Sequence, residues 1–134
     1  MIKAKVYIKE YDWTIYAHFA VDKTNTDEIF NKLIQFGSSY YQAIDACAIL
    51  EDNKPNCGIT YSNHILKTTI LVITKTTSTK EFVNTFVHEV SHIQNHIIKT
   101  YHLDNNSEQV CYMIGTIAEQ LYTKCSRLFC NNDY

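Results

Sequence analysis

The chain has 134 residues, of which 46% are hydrophobic and 19% are charged, with one proline and three glycines. This length and composition predict a single folded domain over residues 1–134 and exclude a disordered or fibrous protein. The formal net charge is −2 and the lysines are scattered, so nucleic acid is not expected as a partner.

The N-terminal residues, the apolar runs and the cysteines indicate in which compartment the protein is expected. Residues 1–9 alternate charged and apolar side chains, unlike the apolar stretch of a signal peptide. No apolar run approaches the roughly 18 residues that a membrane helix requires. Five cysteines without CxxC spacing indicate reduced thiols rather than a disulfide framework. We therefore expect a cytoplasmic protein without a membrane partner, and the sequence carries no signal for its oligomeric state.

Alternation and helical spacing predict the elements of the first half of the chain. In chain order they are a strand over residues 2–9, a strand over residues 13–21, a helix from Ile29 that stops at Gly37, and a short helix over residues 39–50. The two strands are close enough in sequence to form a β-hairpin.

The second half predicts two strands followed by two longer helices. In order they are strands over residues 57–61 and 65–74 around a turn at Ser62 and Asn63, a helix from Ser78 to about Tyr101, and a final helix with Val110, Ile114, Ile117 and Leu121 on one face. The whole pattern predicts an α+β fold, in which a small mixed or antiparallel sheet packs on two principal helices.

The longer helix contains His88, Glu89 and His92 in an HExxH pattern. Residues four apart lie on one helix face, about 5.4 Å apart along the axis, so both imidazoles can bind one metal ion. Glu89 is rotated by about 100° from His88, which keeps its carboxylate off the metal and near a water bound there. Zinc would lower the pKa of that water towards about 7, and Glu89 would accept its proton as general base.

A simpler interpretation is that His88 and His92 lie on a solvated helix face. The apolar residues of the helix point roughly away from them, which fits either an exposed surface or an open catalytic cleft. The position of the pattern just after a buried strand favours the metal site.

A catalytic zinc ion usually has three protein ligands, and Glu108 is the predicted third ligand. It lies in the first turn of the next helix, which can turn back and pack antiparallel against the first. The alternative is that Glu108 is only a favourable acid at a helix N-terminus. Other candidates are weaker. His96 lies two turns from His88 and is expected at the surface or the rim of the site. His102 and Asp104 are weaker ligand candidates, and Asp104 or Asn105 could instead orient a ligating imidazole. Tyr61, Tyr101 and Tyr112 could each donate to an oxyanion.

With His88, Glu89, His92 and Glu108, residues 65–121 resemble the gluzincin metallopeptidases, in particular short ImmA/IrrE-type forms encoded by phages or mobile elements. Tyr112 stands where the longer gluzincins have an aspartate. The resemblance implies one zinc ion per chain, with His88, His92 and Glu108 as ligands and Glu89 as catalytic acid and base. It also implies that the strand over residues 65–74 forms a sheet edge that pairs with an extended substrate.

The leading hypothesis is therefore a zinc-dependent peptidase that hydrolyses peptide bonds of an intracellular protein. The main rival is a catalytically inactive binding or structural protein with a zincin-like fold. A purely structural zinc site ranks last, because four cysteine or histidine ligands are not visible in the sequence.

Overall fold

A computed structural model describes residues 1–130 of the chain. Within that range it contains four α-helices and a four-stranded mixed sheet, so the predicted α+β class is confirmed. The strands are β1 (Ile2–Ile8), β2 (Trp13–Val21), β3 (Gly58–Asn63) and β4 (Thr68–Thr74). The helices are α1 (Thr26–Gln35), α2 (Tyr40–Glu51), α3 (Thr79–Tyr101) and α4 (Glu108–Cys125), with short 3₁₀ helices at Lys9–Tyr11, Lys23–Asn25 and Ser126–Phe129.

The sheet has the strand order β1-β2-β4-β3. β2 pairs antiparallel with β1 and parallel with β4, and β3 pairs antiparallel with β4. β4 therefore has a hydrogen-bonded neighbour on each side, and β1 and β3 are the edges. This corrects the expectation that residues 65–74 form the substrate-pairing edge, because both backbone sides of β4 are occupied. The edge strand beside α3 is β3.

Helices cover both faces of the sheet. Leu71 and Ile73 of β4 face a core shared with α3 and α4, whereas Ile70 and Val72 face a second core shared with α1 and α2. Burial on both faces explains why this strand is apolar throughout. α1 and α2 thus form a third layer, in addition to the predicted sheet and the layer of the two principal helices. None of the helices in residues 1–130 has the length and apolar character of a membrane span.

One predicted turn is displaced. The turn was expected at Ser62 and Asn63, but β3 continues through both residues and the chain reverses over residues 64–67. Asn63 fixes this position, because its Oδ1 atom accepts hydrogen bonds from the amides of Ile65 at 3.0 Å and Leu66 at 2.9 Å. Asparagine side chains commonly nucleate turns in this way.

Candidate metal centre

The HExxH residues are positioned by the start and the packing of α3. Ser78 caps the helix, since its hydroxyl accepts a hydrogen bond of 3.2 Å from the amide of Glu81. Phe86, Val90, Ile93 and Ile97 are buried in the core below the helix. Burial of that stripe leaves the face with His88 and His92 exposed.

His88 and His92 face each other through their Nε2 atoms, which are 3.1 Å apart. Two nitrogens on one tetrahedral zinc ion, each about 2.0–2.1 Å from it, lie about 3.3 Å apart. The pair therefore fits a shared metal ion with little adjustment. Glu89 is the third member of the group, because the ligand atoms of the three residues all lie within 4.8 Å of one another. His88, Glu89 and His92 form a cluster that could hold a metal ion.

Glu89 differs from the two histidines by being buried. Its side chain is 5% exposed, against 67% for His88, and its Oε2 atom lies 4.0 Å from the His88 Nε2 atom. Burial raises the pKa of the Glu89 carboxyl group, and the neighbouring His92 and His88 counter part of this effect. A carboxyl group with a raised pKa is suited to accept a proton near neutral pH.

Glu89 is in close contact with β3. A β-carbon at Gly58 would lie 2.4 Å from the Glu89 Cγ atom and 2.5 Å from its Cδ atom, so only glycine leaves room for this side chain. The Thr60 hydroxyl donates a hydrogen bond of 3.5 Å to the Glu89 carbonyl oxygen. The edge strand and the proposed base therefore hold each other in place.

The outer side of β3 borders the site. The amide of Thr74 donates to the carbonyl of Cys57 at 2.9 Å, so the backbone of Cys57 faces β4. Backbone groups alternate in direction along an antiparallel ladder, and those of Gly58, Thr60 and Ser62 accordingly point away from β4.

An open cavity of about 700 Å³ lies between β3 and α3. Its walls include all three residues of the candidate metal-binding cluster. The lining residues are Ile49, Asn56, Cys57, Gly58 and Thr60 on one side and Glu81, Asn84, Thr85, His88, Glu89, His92 and His96 on α3.

The structure does not bring Glu108 to this cluster. Glu108 is exposed in the first turn of α4, does not line the cavity and lies outside the metal-ligating group found in residues 1–130. α4 does pack against α3 as expected, but on its apolar face, where Gln94 Nε2 donates to the Val110 carbonyl at 2.7 Å. The histidines point away from that face, which explains why the predicted third ligand is not in reach.

The three tyrosines considered as oxyanion donors also lie away from the cavity. Tyr61 packs against the core on the opposite face of the sheet, and the Tyr101 hydroxyl donates to the carbonyl of Tyr11. Tyr112 is exposed on α4. The turn after α3, which contains His102, Asp104 and Asn105, does not line the cavity either.

Two cavity residues have more prominent places than the sequence indicated. His96, expected at the rim, lines the cavity but is half-buried, and burial together with His64, His92 and Lys99 lowers its pKa to about 4. Gly58 is absent from the site predicted from the sequence, although an isolated glycine in a strand pattern often marks a close approach by another group.

Comparison of the chain with protein-family models, with curated proteins and with solved structures found no match. The likeness to gluzincins therefore remains a prediction from the motif, and the geometry of His88, Glu89 and His92 is the basis for assigning a function.

Proposed function

We propose that the protein is a zinc-dependent peptidase with His88 and His92 as metal ligands and Glu89 as general base. The observation that carries the proposal is a buried carboxylate beside two imidazoles whose Nε2 atoms are 3.1 Å apart. Burial of an ionised carboxylate is unfavourable unless a cation compensates it. Without such a cation, burial favours the protonated carboxyl group. A metal ion held by the two histidines would supply the positive charge and keep Glu89 ionised, as a general base must be.

The chain's own residues account for the remaining steps. When bound, zinc would lower the pKa of a water molecule and polarise the substrate carbonyl. Glu89 accepts the proton of the attacking water, and the same carboxyl group then donates it to the leaving amine. The space that Gly58 leaves lets the Glu89 side chain lie against β3, where it is in place to accept the proton with little reorganisation.

The proposed substrate is an extended segment of an intracellular protein. The outward backbone groups of Gly58, Thr60 and Ser62 can pair with such a segment as an added strand. That strand would run beside the cavity and bring a peptide carbonyl towards His88 and His92. The gluzincin resemblance supports the same mode of binding, with β3 in place of the strand first expected.

A metal-binding protein without hydrolytic activity is the second candidate. It is favoured by the small number of ligands, because the cluster found in residues 1–130 contains two histidines and the residue assigned as the base. Catalytic zinc sites usually have three protein ligands.

Zinc content and hydrolysis together test the proposal. The metal content of untagged protein is measured for the wild type, for His88→Ala/His92→Ala and for the control variant His102→Asn. His102 lies outside the cavity and has a positive φ, which asparagine tolerates. We expect about one zinc ion per chain in the wild type and in the control, and none in the double variant. A peptide library is then incubated with zinc-loaded wild type and Glu89→Gln. Cleavage by the wild type alone supports the peptidase, whereas zinc binding without cleavage supports the second candidate.

A further inference from the structure

Four side chains form a hydrogen-bonded chain from the core to the cavity. The indole nitrogen of Trp13 donates to Thr69 Oγ1 at 2.8 Å, Thr69 Oγ1 lies 2.7 Å from Ser62 Oγ, and Ser62 Oγ lies 2.6 Å from His96 Nδ1. Trp13 and Thr69 are fully buried, while Ser62 and His96 are half-buried. This series of hydrogen bonds thus connects the interior of the sheet with His96 in the cavity wall.

The direction of donation follows from the first member. An indole N–H can only donate, so the Thr69 oxygen accepts this bond and its own hydrogen needs another acceptor. Its other partner is Ser62 Oγ, and no buried side-chain nitrogen or oxygen in the described residues lacks a partner. Thr69 therefore donates to Ser62, and Ser62 in turn donates to His96 Nδ1. A neutral His96 ring that accepts at Nδ1 carries its proton on Nε2.

The Nε2 atom of His96 is free to contact a ligand. Within residues 1–130 the ring forms a hydrogen bond only through Nδ1. No buried polar side-chain atom in these residues lacks a partner, so the Nε2 atom, which has none, is exposed to solvent. His96 lines the cavity one helical turn beyond His92, with the two rings stacked at 6.5 Å between centroids. The N–H group therefore lies beside the metal-binding cluster without belonging to it.

We infer that His96 is a fixed hydrogen-bond donor of the cavity, oriented by Ser62, Thr69 and Trp13, and that its Nε2–H group binds a carbonyl oxygen of the extended peptide. The peptide part rests on the proposed function, whereas the state of the ring does not. His96 is a positioning residue for the substrate. The opposite tautomer would direct a lone pair at the carbonyl oxygen and repel it, so the buried hydroxyls determine the sign of this contact.

The state of the ring can be measured without zinc or substrate. Two-bond ¹H–¹⁵N spectra of the full chain near neutral pH should show His96 with an unprotonated Nδ1 and a protonated Nε2. Ser62→Ala removes the donor to Nδ1 and should give a mixture of the two tautomers. Thr123→Ala removes an exposed hydroxyl on α4 that bonds to the Gln120 carbonyl, and it should leave the His96 signals unchanged. A proton on Nδ1 of His96 in the wild type would overturn the inference.

The contact with peptide is tested by two zinc-chelating probes, acetohydroxamate and a tripeptide hydroxamate. His96→Leu should weaken the peptide probe by about two- to tenfold, the effect of one hydrogen bond, and leave acetohydroxamate unchanged. His96→Gln, which retains an N–H donor near the Nε2 position, should restore much of the affinity. Equal binding of the peptide probe by wild type and His96→Leu would overturn the contact. If neither probe binds zinc-loaded wild type, the proposed function is contradicted, and the ring spectrum alone decides the inference.

Discussion

The Glu89 side chain occupies the space that a β-carbon at Gly58 would need, with its Cγ atom 2.4 Å from that position. Real β-carbons do not come this close to other atoms, so the edge strand β3 and the helix α3 constrain each other. The size of one residue in β3 thereby determines where the proposed base can lie.

Replacement of Gly58 should disturb both stability and activity. Gly58→Ala forces Glu89 or β3 to move, and we expect a loss of about 1–3 kcal/mol in the free energy of unfolding together with reduced hydrolysis. Gly115→Ala is the matched control, because Gly115 is exposed in α4 with nothing within 4 Å of the new β-carbon. It should stabilise the protein by about 0.5–1 kcal/mol. Urea denaturation measures both values. Wild-type stability and hydrolysis in Gly58→Ala would show that the contact is unimportant.

Two carboxylates should respond differently to conversion into amides. Glu89→Gln is expected to retain zinc and to lose hydrolysis by about 10²–10⁴-fold, because the amide cannot accept the proton. Glu108→Gln should retain zinc and activity, since Glu108 lies outside the cluster and the cavity. Equilibrium dialysis with zinc and peptide cleavage check both. Loss of zinc from Glu108→Gln would mean that α4 moves to bring this carboxylate to the metal.

His18 should make the protein less stable in acid. His18 is 4% exposed, and its Nδ1 atom donates a hydrogen bond of 3.0 Å to the Leu71 carbonyl. Burial lowers the pKa of His18, and the hydrogen bond to Leu71 offsets part of this effect. The unfolded chain therefore takes up a proton on His18 at about pH 6.5, whereas the folded chain does so only at lower pH. Its contribution to stability is fully present above about pH 6.5 and is lost as the pH falls towards the folded value.

The His18→Asn variant isolates this effect, because Asn keeps an N–H donor and does not titrate. Urea denaturation with a chelator at about pH 7.5 and about pH 5 should show a larger loss of stability for wild type than for His18→Asn. Equal losses in the two proteins would exclude His18 as the source.

The five thiols should react in an order set by burial. All are free, with Cys111 and Cys130 exposed and Cys47 and Cys125 buried. Burial raises the pKa of Cys125 to about 12, and burial together with Glu51 raises the pKa of Cys47. The thiolate is the reactive form, so a thiol reagent should modify Cys111 in the native protein and reach Cys125 only after unfolding. Peptide mapping by mass spectrometry identifies the labelled residues, and equal labelling rates for Cys111 and Cys125 would contradict the described core.

Much of the fold was predictable because its signals are local. Periodicity predicts the four strands and the four α-helices of residues 1–130, but not the three 3₁₀ helices, and Gly37 and Ser78 correctly mark helix ends. The strand order was not predictable, because the parallel pairing of β2 with β4 joins segments far apart in sequence. This one pairing determines that β3, rather than β4, is the edge beside α3.

The same difference between local and long-range signals applies to the candidate site. His88, Glu89 and His92 come together because a single helix places them, and helical spacing is visible in the sequence. Glu108 was assigned from the spacing of two helices, but spacing does not specify which face of α3 receives α4. The apolar stripe with Val90 and Ile93 receives it, because burial of apolar side chains is the main favourable term in packing one helix on another.

The contact between β2 and β4 also has a kinetic consequence. The hairpin of β1 with β2 and the hairpin of β3 with β4 each form from neighbouring residues, and α3 follows directly after the second hairpin. Pairing of distant segments is slow, because the entropy of closing the loop is lost before the stabilising contacts form. We therefore expect the two hairpins to dock in the rate-limiting step of folding. Substitutions between β2 and β4 should slow folding, whereas those around the cavity should mainly accelerate unfolding.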